Sequence, residues 1–259
     1  MKKLPFVLLL CLPSVLLAQS AFNGTWKFNP QSAQFSGKAN TFLLQDGVFR
    51  CNDCVPKIDI KADGEEHPRL GSPYSDAASV RVVDDHTVEV VTKKKGKVVS
   101  KAKDSVSADG NTLTSEWSFT SENGQEGHGK DIFTRKAAGP AGAHAISGAW
   151  LQSKEENASE NVLTVTFQAS DDGLSMSDGT GDSYSAKFDG KDYPYKGDPG
   201  TTSVSLKKIS ANTIEETDKR NGKVTGISRM TVSSDGQTIS IDNTDVLRGQ
   251  KSKFEGRKQ

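Results

Sequence analysis

Two cysteines separated by two residues are the first feature of this sequence that could carry chemistry. Cys51 and Cys54 are the only cysteines beyond the N-terminal apolar segment, and they follow Phe49-Arg50 in a stretch with strand character. Such a pair can form a disulfide, bind a metal ion or exchange electrons. Reactive thiolates are typically stabilised at a helix N-terminus, whereas Asp53 between these cysteines opposes the thiolate. We therefore predict a structural disulfide, and free thiols, metal ligation and redox activity stay open as alternatives.

The four histidines give little support for metal chemistry. His67, His86, His128 and His144 do not have the spacing of a ligand pair on one strand or helix. A zinc site built from the two cysteines and a distant histidine is conceivable, but isolated surface histidines are the simpler interpretation. The sequence has no Gly-x-Ser-x-Gly elbow and no carboxylate pair with assignable acid and base roles. It therefore predicts no metal, no cofactor and no enzyme.

Large aromatic side chains are the candidate ligand contacts. Three of the four candidates adjoin a proline in the sequence, and the fourth is a tryptophan of the first half. Such residues either touch a ligand at the mouth of a binding site or pack in loops against their own domain. The possible ligand contacts are Tyr74, Trp117, Tyr193 and Tyr195.

The chain contains an internal duplication that must position these residues. Asn23-Gly24-Thr25-Trp26 matches Ser147-Gly148-Ala149-Trp150, and Val106–Leu113 matches Val232–Ile239. Further matches lie between them in the same order, with an offset of 124 residues at the first match and 126 at the others. The repeated unit is far longer than a solenoid repeat and long enough to bury its own core. We predict two tandem domains, residues 22–137 and 146–259, joined by the small-residue linker 138–145.

Each copy has the pattern of an antiparallel β-meander. Apolar and polar residues alternate, as around Leu163, Val165 and Phe167, which predicts that one face of each strand is exposed to solvent. Asp-Gly and Asn-Gly pairs, such as those at 46–47 and 221–222, favour tight hairpins. A sheet of about eight such strands becomes stable when it closes into a barrel or packs as a sandwich. Short connections between the strands favour an up-and-down barrel over a Greek-key sandwich. The sequence therefore predicts an all-β fold of two tandem antiparallel barrels.

The opening of each copy resembles the Gly-x-Trp signature of lipocalins. In that family the tryptophan closes the floor of the barrel, and an arginine from the last strand lies across its ring. The resemblance implies that Arg135 and Arg257, near the ends of the two copies, are the partners of Trp26 and Trp150. Each whole copy is also similar to the lipocalin-like domains of secreted bacterial proteins.

Residues 1–18 have the pattern of a secretory signal peptide. Met1-Lys2-Lys3 supplies the basic start, a leucine-rich run follows, and Ala18 is a small residue at a cleavage point. The apolar run is too short to span a bilayer. We expect a secreted or periplasmic protein without membrane insertion once this segment is removed. The basic run Lys93–Lys97 is expected to be a solvated hairpin tip that protects a strand edge.

The charge balance limits the possible partners. The sequence has 33 basic and 33 acidic side chains, and removing Lys2 and Lys3 with the signal peptide leaves a net charge of −2. Binding to nucleic acid or to anionic membranes through bulk charge is therefore excluded. The resemblance implies non-covalent binding of a small apolar ligand in one or both barrels. The alternative is a structural or interaction protein whose barrels are filled by their own side chains.

Overall fold

Every regular element of the described chain is a β-strand. The computed structural model describes residues 20–259, and the predicted signal peptide lies outside them. Within the described residues, no helix is long and apolar enough to cross a membrane. The predicted all-β fold is confirmed, with twenty antiparallel strands in two ten-stranded sheets rather than about eight strands in each.

The first half of the chain contributes strands β1 to β10, and the second half contributes β11 to β20. In the first half these are β1 (Gly24–Gly37), β2 (Asn40–Gln45), β3 (Val48–Cys51), β4 (Ile58–Lys61), β5 (His67–Pro68), β6 (Ala77–Asp84), β7 (Thr87–Lys94), β8 (Lys97–Val106), β9 (Thr112–Thr120) and β10 (Glu126–Ala138). In the second half they are β11 (Gly148–Glu156), β12 (Thr164–Ala169), β13 (Gly173–Asp178), β14 (Ser183–Lys187), β15 (Tyr193–Lys196), β16 (Ser203–Ser210), β17 (Thr213–Arg220), β18 (Lys223–Val232), β19 (Thr238–Asp245) and β20 (Gln250–Lys258).

The two halves exchange their first strands. Strand β1 pairs with β12 and β20 and completes a closed barrel with β12 to β20, which we call barrel 2. Strand β11 pairs with β10 and β2 and completes the sheet formed by β2 to β10, which we call barrel 1. The predicted boundaries, residues 22–137 and 146–259, are therefore the limits of the sequence repeats and not of the barrels.

The end of β1 explains why the first strand stays with barrel 2. Gly37 has a φ of +93°, and the carbonyl oxygen of Gly249 lies 2.4 Å from the position that a Cβ would occupy there. The backbone N–H of Lys38 donates to the same oxygen over 3.0 Å. This close approach fixes the end of β1 against the β19–β20 hairpin of barrel 2. Strand β2 then begins at Asn40, which is already in register with Trp150 of β11.

The two barrels differ in how they close. In barrel 2, β14 pairs with β15 through Tyr184 and Tyr195, and the ring of strands is continuous. In barrel 1 the equivalent strands β4 and β5 do not pair, and the sheet is open in its strand order. An isolated bridge joins Asp63, which follows β4, to Arg81 of β6, and barrel 2 has the equivalent bridge between Asp189 and Lys207. Barrel 1 is thus a strongly curved sheet with a narrow seam.

A cationic side chain lies over the ring of each tryptophan, but neither of the two predicted pairs is formed. Arg135 packs its guanidinium 4.0 Å from the ring centre of Trp150, not of Trp26. Trp26 instead lies under Lys258, whose ammonium is 5.1 Å from the ring centre. Neighbouring residues of a strand point to opposite faces, so that Arg257 is exposed while Lys258, in register with Trp26, reaches its ring. Strand exchange explains the other pair, because it brings Trp150 of β11 into register with Arg135 of β10.

Each barrel has an apolar core of buried side chains. Both tryptophans are completely buried, and their indole N–H groups donate to backbone carbonyls four residues earlier. The buried core of barrel 2 comprises Phe22, Trp26, Phe167, Leu174, Tyr184, Ala186, Val204, Leu206, Ile214, Met230, Val232 and Ile239. The buried core of barrel 1 comprises Leu44, Phe49, Cys51, Val80, Val88, Val106, Leu113, Ile146 and Trp150.

The predicted disulfide is confirmed. Cys51 and Cys54 are bonded, with their Cα atoms 5.4 Å apart. Cys51 ends β3 and is completely buried among the core residues of barrel 1. The bond therefore ties the turn that follows β3 to the core.

Candidate functional site

A cleft of about 950 Å³ lies where hairpins of barrel 1 meet loops of barrel 2. Barrel 1 contributes Tyr74 together with the β7–β8 and β9–β10 hairpins. Barrel 2 contributes the loop between β13 and β14 and the loop between β15 and β16. Neither barrel forms the cleft alone, so strand exchange, which holds the barrels together, also forms the site.

Direct contacts between the halves fix the walls of the cleft. The hydroxyl of Tyr74 lies against Gly200, so close that a Cβ there would be 1.9 Å away. The side-chain amide of Asn123 meets Gly181 in the same way. Asn161, in the crossing segment after β11, donates to the backbone carbonyl of Glu126 over 2.8 Å. The two glycines are needed because any side chain would push the facing loops apart.

Only one of the four predicted ligand contacts lines the cleft. Tyr74 is about half exposed at its edge. Trp117 lies outside its lining and stacks on Phe119, which does line it, with ring centres 6.0 Å apart. The hydroxyl of Tyr193 donates to Asp189 over 3.1 Å, and that of Tyr195 faces Asp182 at 3.4 Å. The two tyrosines of β15 therefore support loop carboxylates instead of lining the cleft.

The basic wall of the cleft is the β7–β8 hairpin, which was expected to be only a solvated turn. Lys94 donates to the backbone carbonyl of Pro73 over 2.9 Å and to Glu122 over 2.6 Å. Lys95 and Lys97 also line the cleft and are exposed. Among residues 20–259, these two lysines form no ion pair with a carboxylate of the chain. Their charges are free to attract an anionic group.

The acidic wall is formed by Asp182 and Asp198 of barrel 2. Asp198 is engaged in its own loop, since it accepts hydrogen bonds from the backbone N–H of Gly200 and the hydroxyl of Thr201, both at 2.8 Å. Asp182 has a weaker partner in Tyr195. Burial, followed by the charges of Asp178 and Asp198, raises the pKa of Asp182 to about 7. Among the described residues, neither Asp182 nor Asp198 forms a salt bridge, although Arg69 also lines the cleft.

Two more carboxyl groups lie behind this wall, inside barrel 2. The hydroxyl of Tyr184 donates to Glu216. Burial and the charge of Asp218 raise the pKa of Glu216, while burial and the charge of Asp198 raise that of Asp218. One oxygen of Asp218 is buried without a hydrogen-bond partner among the described residues. Because both pKa values are raised, these two carboxyl groups hold their protons to a higher pH than exposed carboxyl groups do.

Barrel 1 contains its own buried acids next to Trp117. Asp104 and Asp131 lie on either side of Ser115 in the register of β8, β9 and β10. Burial raises the pKa of Asp104 to about 6, and burial together with the charge of Glu155 raises that of Asp131 to about 7. Asp131 accepts a 2.8 Å hydrogen bond from Gln152. These side chains do not line the cleft, so we assign them to the interior of barrel 1.

A second depression, of about 500 Å³, crosses strands β7 to β10. Its lining includes Glu89 and Lys130, which are paired with Arg81 and with Glu156 respectively. Trp117, one of the four predicted ligand contacts, also lines this depression, as do Lys101, Lys103 and Glu116, which form no salt bridge among the described residues. Its volume of about 500 Å³ is smaller than the 950 Å³ of the cleft, and no loop of barrel 2 contributes to it. The cleft is therefore the stronger candidate site.

The sequence interpretation missed the buried acids, although strand alternation contains a signal for them. Glu216 and Asp218 follow Ile214 at two-residue intervals on β17, so they share its inward face. Asp104 shares the face of Val106 on β8 in the same way. A carboxylate on the apolar face of a strand therefore indicates a buried acidic group.

Comparisons with known proteins give no family for this chain. No family model matches the sequence, and no curated protein or solved structure matches it. Within residues 20–259, no group of three or more His, Cys, Asp or Glu side chains has the arrangement of a metal site. The similarity to lipocalins stays a prediction from the two Gly-x-Trp openings.

Proposed function

We propose that this protein binds a small molecule non-covalently in the cleft between its two barrels. The observation that carries the proposal is the cleft itself, whose volume of about 950 Å³ is formed by loops of both barrels. Ligand pockets generally have volumes of about 300–1,000 Å³ and combine apolar surface with a few polar groups. Tyr74, Val99 and Phe119 supply apolar surface here, and Lys95 and Asp182 supply charge.

The cleft is a better ligand site than the barrel interiors predicted from the resemblance. The floor of each barrel is filled by its own buried side chains. Above the floor of barrel 1, Trp117 occupies the space over Gly129, and a Cβ at that glycine would lie 2.4 Å from the ring. A ligand in the cleft needs no rearrangement of these packed residues. This favours a mixed apolar and polar environment over a purely apolar one.

Action outside the cytoplasm is part of the proposal. A disulfide forms and persists in oxidising compartments, such as the periplasm or the extracellular space. The Cys51–Cys54 bond is compatible with that location. The signal-peptide pattern of residues 1–18 supports the same location from the sequence.

Native mass spectrometry of protein purified from its natural source tests the proposal. We expect an additional mass of a few hundred daltons that is lost on denaturation. Tyr74→Ala and Phe119→Ala should each reduce the bound fraction, because each removes apolar surface from the cleft. Leu70→Ala is the matched control, since Leu70 is 84% exposed and does not line the cleft.

The outcomes separate ligand binding from the alternative of a structural or interaction protein. Source-purified protein without any bound molecule, together with no binding in a broad small-molecule screen, would contradict the proposal. A ligand that stays bound in both cleft variants would place its site elsewhere in the molecule. Export is tested separately by fractionating the source cells and comparing the N-terminal residue of the purified chain with Gln19.

A further inference from the structure

The two walls of the cleft carry opposite charges that are not paired with each other. Lys95 and Lys97 stand on the barrel 1 side, and Asp182 and Asp198 stand on the barrel 2 side. Elsewhere on this protein, facing charges are joined directly, as in the pairs Lys93–Glu66 and Lys219–Asp192. The open cleft therefore separates two sets of charges that a ligand can satisfy together.

The carboxyl groups on the acidic side of the cleft have no salt-bridge partner among the described residues. Besides Asp182 and Asp198, this side includes Asp178 on the same loop as Asp182, and Glu216 and Asp218 from β17. Among the described residues, none of these five carboxyl groups forms a salt bridge, whereas fourteen other pairs do exist. Burial and mutual repulsion disfavour the charged forms of Asp182, Glu216 and Asp218, whose pKa values are raised as a result. A cationic group placed beside Asp182 would relieve that repulsion.

The basic side differs from its counterpart in the other half of the chain. The repeat offset of 126 places Lys223 at the position of Lys97, and Asn221 at the position of Lys95. Lys223 is exposed on the β17–β18 hairpin and does not line the cleft. Lys95 thus has no lysine counterpart on the β17–β18 hairpin, and it belongs to the β7–β8 hairpin, which lines the cleft.

The cleft also has apolar surface. Val99, Phe119 and the ring of Tyr74 line it together with the charged side chains. The ring of Phe119 lies against Gly127 of β10, and a Cβ at that glycine would be only 2.5 Å from the ring. Glycine at position 127 therefore allows the phenylalanine ring to pack on β10. An aliphatic or aromatic ligand body fits this surface.

We propose that the ligand of the cleft is a zwitterion with an apolar body. Its ammonium group lies at Asp182 and its carboxylate or other anionic group lies at Lys95 and Lys97. The inference rests on the proposed function, because it names the chemical class of the molecule that the cleft holds. A purely apolar molecule would leave both sets of charges without partners.

Four probes with the same aliphatic body test this inference by isothermal titration calorimetry. They are ω-aminooctanoic acid, octanoic acid, octylamine and octanol, used at pH 8.5 in a low-salt buffer. We expect the amino acid to bind about tenfold more tightly than either singly charged probe, since each charged hydrogen bond adds about 1.5 kcal/mol or more. Octanol should bind most weakly.

Charge-removing variants assign each end of the probe. Asp182→Asn should weaken binding of the amino acid and of octylamine about tenfold and leave octanoic acid unchanged. The double variant Lys95→Gln/Lys97→Gln should weaken the amino acid and octanoic acid and leave octylamine unchanged. The matched controls are Lys223→Gln, at the repeat position of Lys97, and Asp171→Asn, at an exposed site outside the cleft. Neither control should change any affinity.

The pH provides an independent readout that needs no variant. Asp182 becomes protonated as the pH falls through about 7. Going from pH 8.5 to 5.5 should therefore reduce the affinity for octylamine more than that for octanoic acid. The charged or titratable groups of barrel 2 around Asp182 are Asp178, Tyr195 and Asp198, with Glu216 and Asp218 behind them.

The results distinguish failure of this inference from failure of the proposed function. Equal affinities for the amino acid and for octanol, or affinities unaffected by both charge variants, would overturn the zwitterion while leaving a ligand-binding cleft. If no probe binds and source-purified protein carries no ligand, the proposed function itself is wrong. Circular dichroism of each variant confirms that the β-fold is intact.

Discussion

Cutting the linker between the repeats should leave the two halves bound to each other. The perturbation is a protease site inserted between Ala141 and Gly142, where the chain is exposed. If each half were a separate barrel, the two fragments would part and fold alone. Strand exchange predicts the opposite, because β1 of one fragment belongs to the barrel of the other fragment, and β11 does the reverse.

The interactions that cross between the fragments are large compared with the cost of association. Trp26 and Trp150 are both fully buried in the barrel of the other fragment, and losing such a side chain costs about 3–5 kcal/mol. Strand β1 is paired on both sides, and so is β11. Even ten ladder hydrogen bonds at about 0.5–1 kcal/mol add about 5–10 kcal/mol. Together these terms outweigh an association cost in the range of about 4–15 kcal/mol, except at its upper end.

Size-exclusion chromatography with light scattering, followed by native mass spectrometry, provides the assay. We expect the cut protein to have the mass of the uncut chain until denaturant is added. Each purified fragment alone should lack a cooperative unfolding transition, and mixing the fragments should restore it. Two separate particles of half mass, each with cooperative unfolding, would refute the strand exchange. The uncut chain carrying the same inserted site is the control.

Three further predictions concern the interior of barrel 1. The pKa of Asp104 is about 6 in the folded protein and about 3.9 in an unfolded chain, so folding stability is lost as the pH rises from about 4 to above 6. Asp104→Asn should remove about 2 kcal/mol of that pH dependence in urea titrations at pH 4.5 and 8, and parallel curves for both proteins would contradict this. Gly129→Ala should destabilise the fold by about 1–3 kcal/mol, since its Cβ would overlap the ring of Trp117, and an unchanged urea midpoint would argue against that contact. A thiol reagent should label Cys51 and Cys54 only after reduction, and reduction should leave the barrel folded, because a short disulfide loop contributes little stability.

Local features of the fold were accessible from the sequence because turn chemistry acts over two residues. At Asp46-Gly47 both φ angles are positive, as a type I′ turn requires, and Asn221-Gly222 is the same. The hairpin at Asp109-Gly110 differs, since only the glycine has a positive φ there. The pair of residues thus predicts a turn reliably, while the turn type depends on the strands that it joins.

The strand exchange was not accessible because it depends on pairing between distant residues. Only Lys38 and Ala39 separate β1 from β2, a spacing that equally suits an ordinary hairpin. The alternative pairings satisfy the same pattern of inward apolar residues, since both copies open with the same Gly-x-Trp element. The pairing of β1 with barrel 2 is determined where Gly37 packs on Gly249, which is more than two hundred residues away in the chain. The cleft depends on the same choice, and so its two walls could not be foreseen either.

Strand exchange also has a consequence for binding. Two barrels on a flexible linker would have to lose orientational freedom when a ligand contacts both of them, and that loss weakens affinity. Here β1 and β11 cross between the barrels and pack against each other, and Tyr74 and Asn123 touch loops of the opposite half. The walls of the cleft are therefore held in place before a ligand arrives. The exchange thus joins two repeats, each with its own core, around one cleft whose walls are already in place.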